Sequence, residues 1–178
     1  MKYVGPSYKP NNQPFCIDDL PMGGFVKVTF LKIVDGDTAH FLLDGKDVTV
    51  RFLVINTPEI HPVVKPYANE AKNYTNQVLS KAKTIYLQSD KNDSLYDDTQ
   101  SHRLLAWIWA DYKLLNYQLV EKGYASVRYV NSEKLSYLDD LYKAQDIAIA
   151  KKRGIHNKKD DGKEAARLLY TSPSPRDM

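Results

Sequence analysis

Short runs of alternating apolar and polar residues predict a β-rich domain that begins at Phe25. The runs are rich in β-branched and aromatic residues and are separated by turn signals, which is the pattern of strands. In the third run, Val50 and Phe52 alternate with Thr49 and Arg51, so Arg51 is predicted to face away from the apolar row. Five strands are predicted: FVKVTFLKIV (25–34), DTAHFLLD (37–44), DVTVRFLVI (47–55), TIYLQS (84–89) and RLLAWIWA (103–110).

Asp44-Gly45 predicts a hairpin between the second and third strands. Helical spacing appears between and after the predicted strands. After Pro66, an apolar stripe of Tyr67, Ala71, Tyr74 and Val78 predicts a helix. Two more helices are predicted, over 115–121 and over about 133–152. This order predicts an α+β, mainly β, fold: a five-stranded barrel with three packed helices, with an open α+β sandwich as the alternative.

Both ends of the chain lack such periodicity. Residues 1–24 hold four of the nine prolines and predict an extended, flexible arm before a domain over 25–157. Residues 158–178 predict a disordered tail, and its TSPSPRD segment resembles translated adapter sequence. The chain shows no apolar signal-peptide core and no apolar stretch of about 18 residues, so we expect no membrane partner and predict no compartment.

Composition narrows the possibilities only slightly. The 178 residues are 43% hydrophobic and 26% charged, as in ordinary single domains, and we expect a monomer. One cysteine, Cys16, excludes an internal disulfide, and the four histidines lack zinc-ligand spacing. A net charge of +3 is too small to indicate a nucleic-acid partner by itself.

Candidate chemistry lies at the ends of the predicted strands. Each acidic motif, Asp37 in DGDT and Glu59 in TPE, is typical of a turn or strand end when taken alone. The predicted hairpin, however, brings Asp37 and Arg51 together, and Arg103 opens a later strand behind a polar loop. Oxygen ligands without His or Cys suit a hard cation such as Ca²⁺, and arginines offer forked donors to a phosphoryl group. The set indicates a metal-assisted phosphodiesterase.

Four longer segments carry a resemblance to a known family. IVDGDT, VRFLVINTPEIHP, KPYANEAKNY and HRLLAWIWADYKLLNYQLVEKGYASV occur in the order and spacing of the staphylococcal nuclease (thermonuclease) family. The resemblance covers about residues 26–156 and implies an OB-type five-stranded barrel with three helices. It also implies a Ca²⁺-dependent endonuclease that hydrolyses DNA and RNA to products with 3′-phosphate ends. Members of the family are commonly secreted.

The resemblance also implies a metal site. Asp37 matches the family's first calcium ligand, and Thr57 matches the residue that offers its backbone carbonyl to the metal. Asn56 falls on the second aspartate ligand. Its amide oxygen can still coordinate, but one negative charge is lost, so weaker calcium binding is expected.

Four further residues match the family's catalytic and substrate-binding positions. Arg51 and Arg103 match the phosphate-binding arginines, and Glu59 matches the glutamate that orients or deprotonates the attacking water. Tyr129 resembles the tyrosine that lines the nucleotide site. Before Arg103 the chain has Gln-Ser-His where the family often has a basic residue, Tyr and Gly, so a base-stacking tyrosine is missing there.

The sequence leaves two other functions open. Asn56 favours a catalytically weakened OB barrel that binds single-stranded nucleic acid without turnover. A scaffold for protein partners is the third possibility. Retention of Arg51, Glu59 and Arg103 argues for the enzyme, because a decayed site has no reason to keep all three.

Overall fold

A computed structural model describes residues 3–6 and 23–157 of the chain. The strands are β1 Phe25–Asp35, β2 Thr38–Leu43, β3 Lys46–Phe52, β4 Ile55–Asn56, β5 Ile85–Gln88, β6 Leu104–Ala110, β7 Lys113–Leu114 and β8 Ser126–Val127. The helices are α1 Ala68–Lys81, α2 Leu115–Glu121 and α3 Leu138–Ala150, followed by a short 3₁₀ helix at Gly154–His156. Among these described elements, no helix has the length and apolar character needed to cross a bilayer.

Five of the strands close into a barrel. The long strand β1 pairs antiparallel with β5 through its first residues and with β2 through its later ones. Two register shifts, between Phe30 and Lys32 and between Ile33 and Asp35, interrupt its pairing with β2. Antiparallel pairs β2–β3 and β5–β6, and a parallel pair β3–β6, complete the ring. The OB-type five-stranded barrel with three helices is confirmed, and the open sandwich is excluded.

The interior of the barrel follows the predicted alternation. Val50 and Phe52 are buried, whereas Arg51 between them is partly exposed on the other face. Trp107 and Trp109 are fully buried, as core residues rather than base-stacking platforms. Their indole N–H groups donate to buried acceptors, the Asp90 carboxylate and the Gln88 side-chain carbonyl, so neither polar atom is left unpaired.

The third predicted strand, 47–55, ends earlier than expected. Strand β3 stops at Phe52, and Leu53 and Val54 turn the chain before β4 begins. Val54 adopts a left-handed conformation with φ 53°, which is rare for a β-branched residue. The sequence hides this turn because Leu53, Val54 and Ile55 are all buried, so the apolar run continues through it.

Helix α1 buries a different stripe from the predicted one. Tyr67 is the N-cap residue, with φ 68°, and therefore lies outside the helix. The hydroxyl of Thr75 donates a 2.7 Å hydrogen bond to the carbonyl of Gly36, which allows this polar side chain to be buried. A count of apolar positions cannot detect such a residue. The buried positions are Ala68, Ala71, Thr75 and Leu79.

Of the other two predicted helices, one has the predicted bounds and one is shorter than predicted. Helix α2 has the predicted bounds. Helix α3 is shorter than the predicted 133–152, because the segment before it is held by tertiary hydrogen bonds instead of helical ones. The backbone N–H of Ser136, for example, donates to the carboxylate of Asp90 at 2.8 Å.

Part of the predicted flexible arm packs on the domain. The hydroxyl of Tyr3 accepts a 3.0 Å hydrogen bond from the backbone N–H of Leu114 and donates to the carbonyl of Pro6. Its ring meets Tyr117 edge-on at 5.7 Å. Within residues 3–6, these contacts differ from the predicted extended, flexible arm. The remainder of the arm and the tail lie outside the described residues.

Close packing of two glycines fixes the C-terminal end of the domain. A Cβ on Gly123 would lie 2.2 Å from the carbonyl oxygen of Arg153, and one on Gly154 would lie 2.2 Å from that of Gly123. We expect Gly123→Ala to lower the free energy of unfolding by about 2 kcal/mol more than Gly45→Ala. Gly45 is the matched control, because its φ of +79° equals that of Gly123 within a degree and its Cβ would meet nothing within 4 Å. Urea unfolding of both variants measures the difference; equal losses would show that the backbones separate at little cost.

Candidate active site

One cleft is lined by all seven of the site residues predicted from the sequence. Its volume is about 600 Å³, and it is bordered by β3, the segment after β4, the loop before β6 and the segment after β8. The seven predicted site residues in its lining are Asp37, Arg51, Asn56, Thr57, Glu59, Arg103 and Tyr129. The chain thus brings them together, and their roles stay predictions.

Asp37 sits in the turn between β1 and β2 with its carboxylate held by several donors. Its Oδ2 accepts a 2.9 Å hydrogen bond from the backbone N–H of Thr57 and lies 3.3 Å from Nη2 of Arg51. Its Oδ1 accepts a 3.0 Å bond from the hydroxyl of Thr38. A Cβ at Gly36 would lie 2.8 Å from the Thr57 side chain, so glycine there permits the close approach. The position of Asp37 is therefore fixed by the fold.

Arg51 projects from β3 into the same end of the cleft. It lies opposite Thr38 in the β2–β3 register, which explains why the hairpin brings it to Asp37. Its Nη1 donates to the carbonyl of Phe52 at 3.0 Å. The guanidinium also lies 5.6 Å from the ring centroid of Tyr129, a cation–π contact. Tyr129 itself is 66% exposed and offers an open aromatic ring at the rim of the cleft.

Asn56, Thr57 and Glu59 follow one another at the end of β4. Asn56 pairs with Ser126 of β8, and Thr57 is buried against the Asp37 turn. Glu59 is exposed, and its backbone carbonyl accepts a 2.9 Å hydrogen bond from the N–H of Lys65, which closes the following loop. The short strand therefore presents a buried backbone segment and then an accessible carboxylate to the cleft.

Arg103 enters the cleft just before β6, the strand that pairs in parallel with β3. Leu104 and Leu105 are the partners of Val50 and Arg51, so Arg103 lies at the start of the strand next to the one that carries Arg51. The Nε of Arg103 donates to Oδ2 of Asp97 at 2.8 Å.

Asp90 anchors the start of the loop that leads to Arg103. Burial alone would raise the pKa of Asp90, but hydrogen bonds from Ser136, Asn92 and Trp107 outweigh it and lower the pKa below the usual range. A lowered pKa means that this carboxylate stabilises the fold above the ordinary aspartate pKa. The contribution is lost as the pH falls through the lowered value.

The oxygen donors of the cleft fit a hard cation. Burial raises the pKa of Asp35, and the nearby Asp37 carboxylate raises it further. A carboxylate has about four acceptor sites, and Asp37 uses three of them in the contacts above, which leaves one for a metal. Within the described ranges, no three or more His, Cys, Asp or Glu side chains form a metal-ligating group. Asn56 and Thr57, which carry an amide oxygen and a backbone carbonyl oxygen, line the same cleft.

Among the acidic cleft residues that the sequence reasoning missed, two lie beside predicted site residues. Asp35 lines the cleft beside Asp37, and its signal was available in the same Asp-Gly-Asp motif. Asp97, the partner of Arg103, lies six residues before it in a polar loop, and nothing in that loop sets it apart from its acidic neighbours. His102, the residue just before Arg103, is exposed and stacks on Tyr96 with ring centroids 4.3 Å apart.

Fold and cleft together define the class: an OB-type barrel with arginine and carboxylate side chains gathered in one cleft. The sequence profile described as "Staphylococcal nuclease homologue" matches residues 49–158. The chain belongs to this family, and the resemblance recognised in its motifs is confirmed.

Individual relatives agree with this assignment. The chain is 32% identical over 136 residues to "Endonuclease YncB" and 33% identical over 136 residues to "SPbeta prophage-derived endonuclease YokF", both of Bacillus subtilis (strain 168). Each match covers 75% of this chain, but only 63% and 45% of the two relatives, less than two thirds of their lengths. "Thermonuclease" of Staphylococcus hyicus is 28% identical over 128 residues, which cover 70% of this chain and 72% of that protein.

Proposed function

We propose that the chain is a Ca²⁺-dependent endonuclease that hydrolyses DNA and RNA and leaves 3′-phosphate ends. The main support is the convergence of two arginines, Arg51 and Arg103, with Glu59 and Asp37 in one cleft. The names of three relatives, two endonucleases and a thermonuclease, support the same reaction.

In this proposal each side chain acts on a stated atom. Glu59 takes a proton from water, or orients it, while the water oxygen attacks phosphorus. The guanidinium groups of Arg51 and Arg103 donate to the non-bridging phosphoryl oxygens and stabilise the charge of the transition state. The bond from phosphorus to the 5′-oxygen breaks and that oxygen gains a proton, so the products carry a 3′-phosphate and a 5′-hydroxyl. Tyr129 offers its exposed ring to a base.

The residues proposed to hold the cation are Asp37, Asn56 and Thr57. Asp37 supplies a carboxylate oxygen, Asn56 its amide oxygen and Thr57 its backbone carbonyl. When bound, Ca²⁺ supplies electrostatic polarisation of a phosphoryl oxygen. Asn56 contributes no charge, which predicts a weaker site than a pair of aspartates would give.

Asn56→Asp is expected to tighten Ca²⁺ binding, on the order of tenfold, because it adds a full negative charge next to the ion with almost no change of shape. Calcium titration by calorimetry measures this directly. Asn73→Asp is the matched control, since Asn73 is exposed on α1 and lies outside the cleft lining. Equal tightening in both variants, or none at Asn56, would show that Asn56 is not a ligand.

The function itself is tested by incubating the purified chain with plasmid DNA and with RNA, in calcium and in EGTA. Degradation that requires calcium, with ends that a polymerase extends only after phosphatase treatment, is the expected result. The second candidate, a nucleic-acid-binding barrel without turnover, is favoured by Asn56 alone. It predicts a shifted band in a gel with intact nucleic acid. That outcome would replace the nuclease proposal by the binding proposal.

A further inference from the structure

Arg103 is held by Asp97 through both side chain and backbone. Oδ2 of Asp97 accepts the 2.8 Å bond from Nε, and Oδ1 accepts a 2.9 Å bond from the backbone N–H of Arg103. The backbone N–H of Asp97 donates in return to the carbonyl of Arg103 at 2.8 Å. Three bonds between two residues define the direction in which the arginine leaves the backbone.

This contact is built into the loop and is shielded from water. The Asp97 side chain is 10% exposed, and its Oδ1 also accepts a 2.9 Å bond from the hydroxyl of Thr99. Tyr96 bridges to Leu104 just beyond, and the backbone N–H of Leu105 donates to Leu95 at 2.8 Å. The loop therefore holds Asp97 in place independently of its ion pair with Arg103.

The Asp97 carboxylate remains ionised near neutral pH. Burial would raise the pKa of Asp97, but hydrogen bonds from the Arg103 side chain, the Arg103 backbone and Thr99 outweigh it and lower the pKa. An ionised partner makes the bond to Nε charge-assisted and short.

The geometry of the guanidinium explains what this contact leaves available. Asp97 binds at Nε, so the edge formed by Nη1 and Nη2 keeps its donors for a ligand in the cleft that Arg103 lines. A planar fork is useful to a phosphoryl group only when its plane and direction are fixed in advance.

We propose that Asp97 is the positioning residue of Arg103: it fixes the guanidinium through Nε so that the Nη edge meets the phosphoryl group. The inference rests on the proposed nuclease function. Asp97 itself does not touch the substrate in this arrangement and acts only through Arg103.

A double-mutant cycle tests the inference. Asp97→Asn should lower kcat for a short DNA substrate about tenfold while KM changes less than threefold, because ground-state binding has other contacts. In an Arg103→Lys background the same change should cost less than twofold, since lysine has no Nε fork to orient. Asp97→Glu keeps the charge but moves the carboxylate, and should lose activity as well.

Two controls separate positioning from folding or general charge. Asp98→Asn removes a charge from the same loop while leaving the Asp97–Arg103 pair in place, and kcat should stay within twofold. The ¹⁵N resonance of the Arg103 Nε–H should shift in Asp97→Asn and stay unchanged in Asp98→Asn, which reports the contact without any turnover.

The outcomes are distinct. An equal loss on Asp97→Asn in both backgrounds, or an unchanged Nε–H resonance, would overturn the positioning role and leave the nuclease proposal standing. An unchanged kcat in Asp97→Asn and Asp97→Glu would do the same. If the wild-type chain leaves DNA and RNA intact, the proposed function fails and this inference fails with it.

Discussion

Replacing Glu59 by glutamine is expected to lower kcat by about 10²- to 10⁴-fold, which is the usual contribution of a positioned general base. Glutamine has almost the same shape and keeps an oxygen that can accept a hydrogen bond from water, but it cannot take the proton. Glu59 is exposed, so the free energy of unfolding should change by no more than about 0.5 kcal/mol. Initial rates on DNA in calcium, together with urea unfolding, measure both quantities.

The pH dependence of kcat distinguishes two roles for Glu59. A general base produces a rising limb that disappears in Glu59→Gln, whereas a residue that only orients water leaves the limb in place with a smaller loss of rate. Glu133→Gln, the same change at another exposed site, should keep wild-type kcat. If Glu59→Gln also keeps it, Glu59 has no part in the chemistry.

Much of the barrel could be predicted because most of its strands are marked by patterns of neighbouring residues. The alternation around Arg51 and the Asp44-Gly45 turn each depend on neighbouring residues, and both reappear in the β2–β3 register. The parallel pairing of β3 with β6 could not be predicted in the same way. It joins segments about 50 residues apart, and it is fixed by closure of the whole sheet rather than by any local pattern.

The errors share one physical origin, which is that tertiary hydrogen bonds override local patterns. Thr75 is buried although it is polar, because its hydroxyl finds the carbonyl of Gly36. Helix α3 begins late because Ser136 donates to Asp90 instead of to its own helix. Tyr3, in an arm without periodicity, packs because its hydroxyl satisfies the backbone of Leu114.

The candidate site was predictable where its residues stand in motifs and not where they stand in loops. Asp37 and Arg51 share one hairpin, so strand pairing alone brings them together. Asp97 could not be predicted, because its contacts with Arg103 depend on the fold of the loop between them. Motifs thus predict the proposed substrate-binding groups better than the groups proposed to orient them.

Arg51→Ala is expected to lower kcat by about 10²- to 10³-fold and also to destabilise the domain, in contrast to Glu59→Gln. The loss of rate comes from a missing transition-state cation. The loss of stability arises because the side chains of Arg51 and Asp37 are only 13% and 9% exposed, so the variant leaves a buried carboxylate without its counter-charge. Removing one partner of a buried pair costs about 3 kcal/mol.

Arg51→Lys separates these two effects, because lysine keeps the positive charge but lacks the planar fork. A lysine near Asp37 should restore most of the free energy of unfolding, measured in urea without metal. It should not restore kcat to the wild-type value, since one ammonium group cannot bond Asp37 and a phosphoryl oxygen in the geometry that the guanidinium offers. Wild-type kcat in Arg51→Lys would mean that Arg51 contributes charge alone. Wild-type stability in Arg51→Ala would mean that the hydrogen bonds from Thr57 and Thr38 are sufficient to hold Asp37 in place.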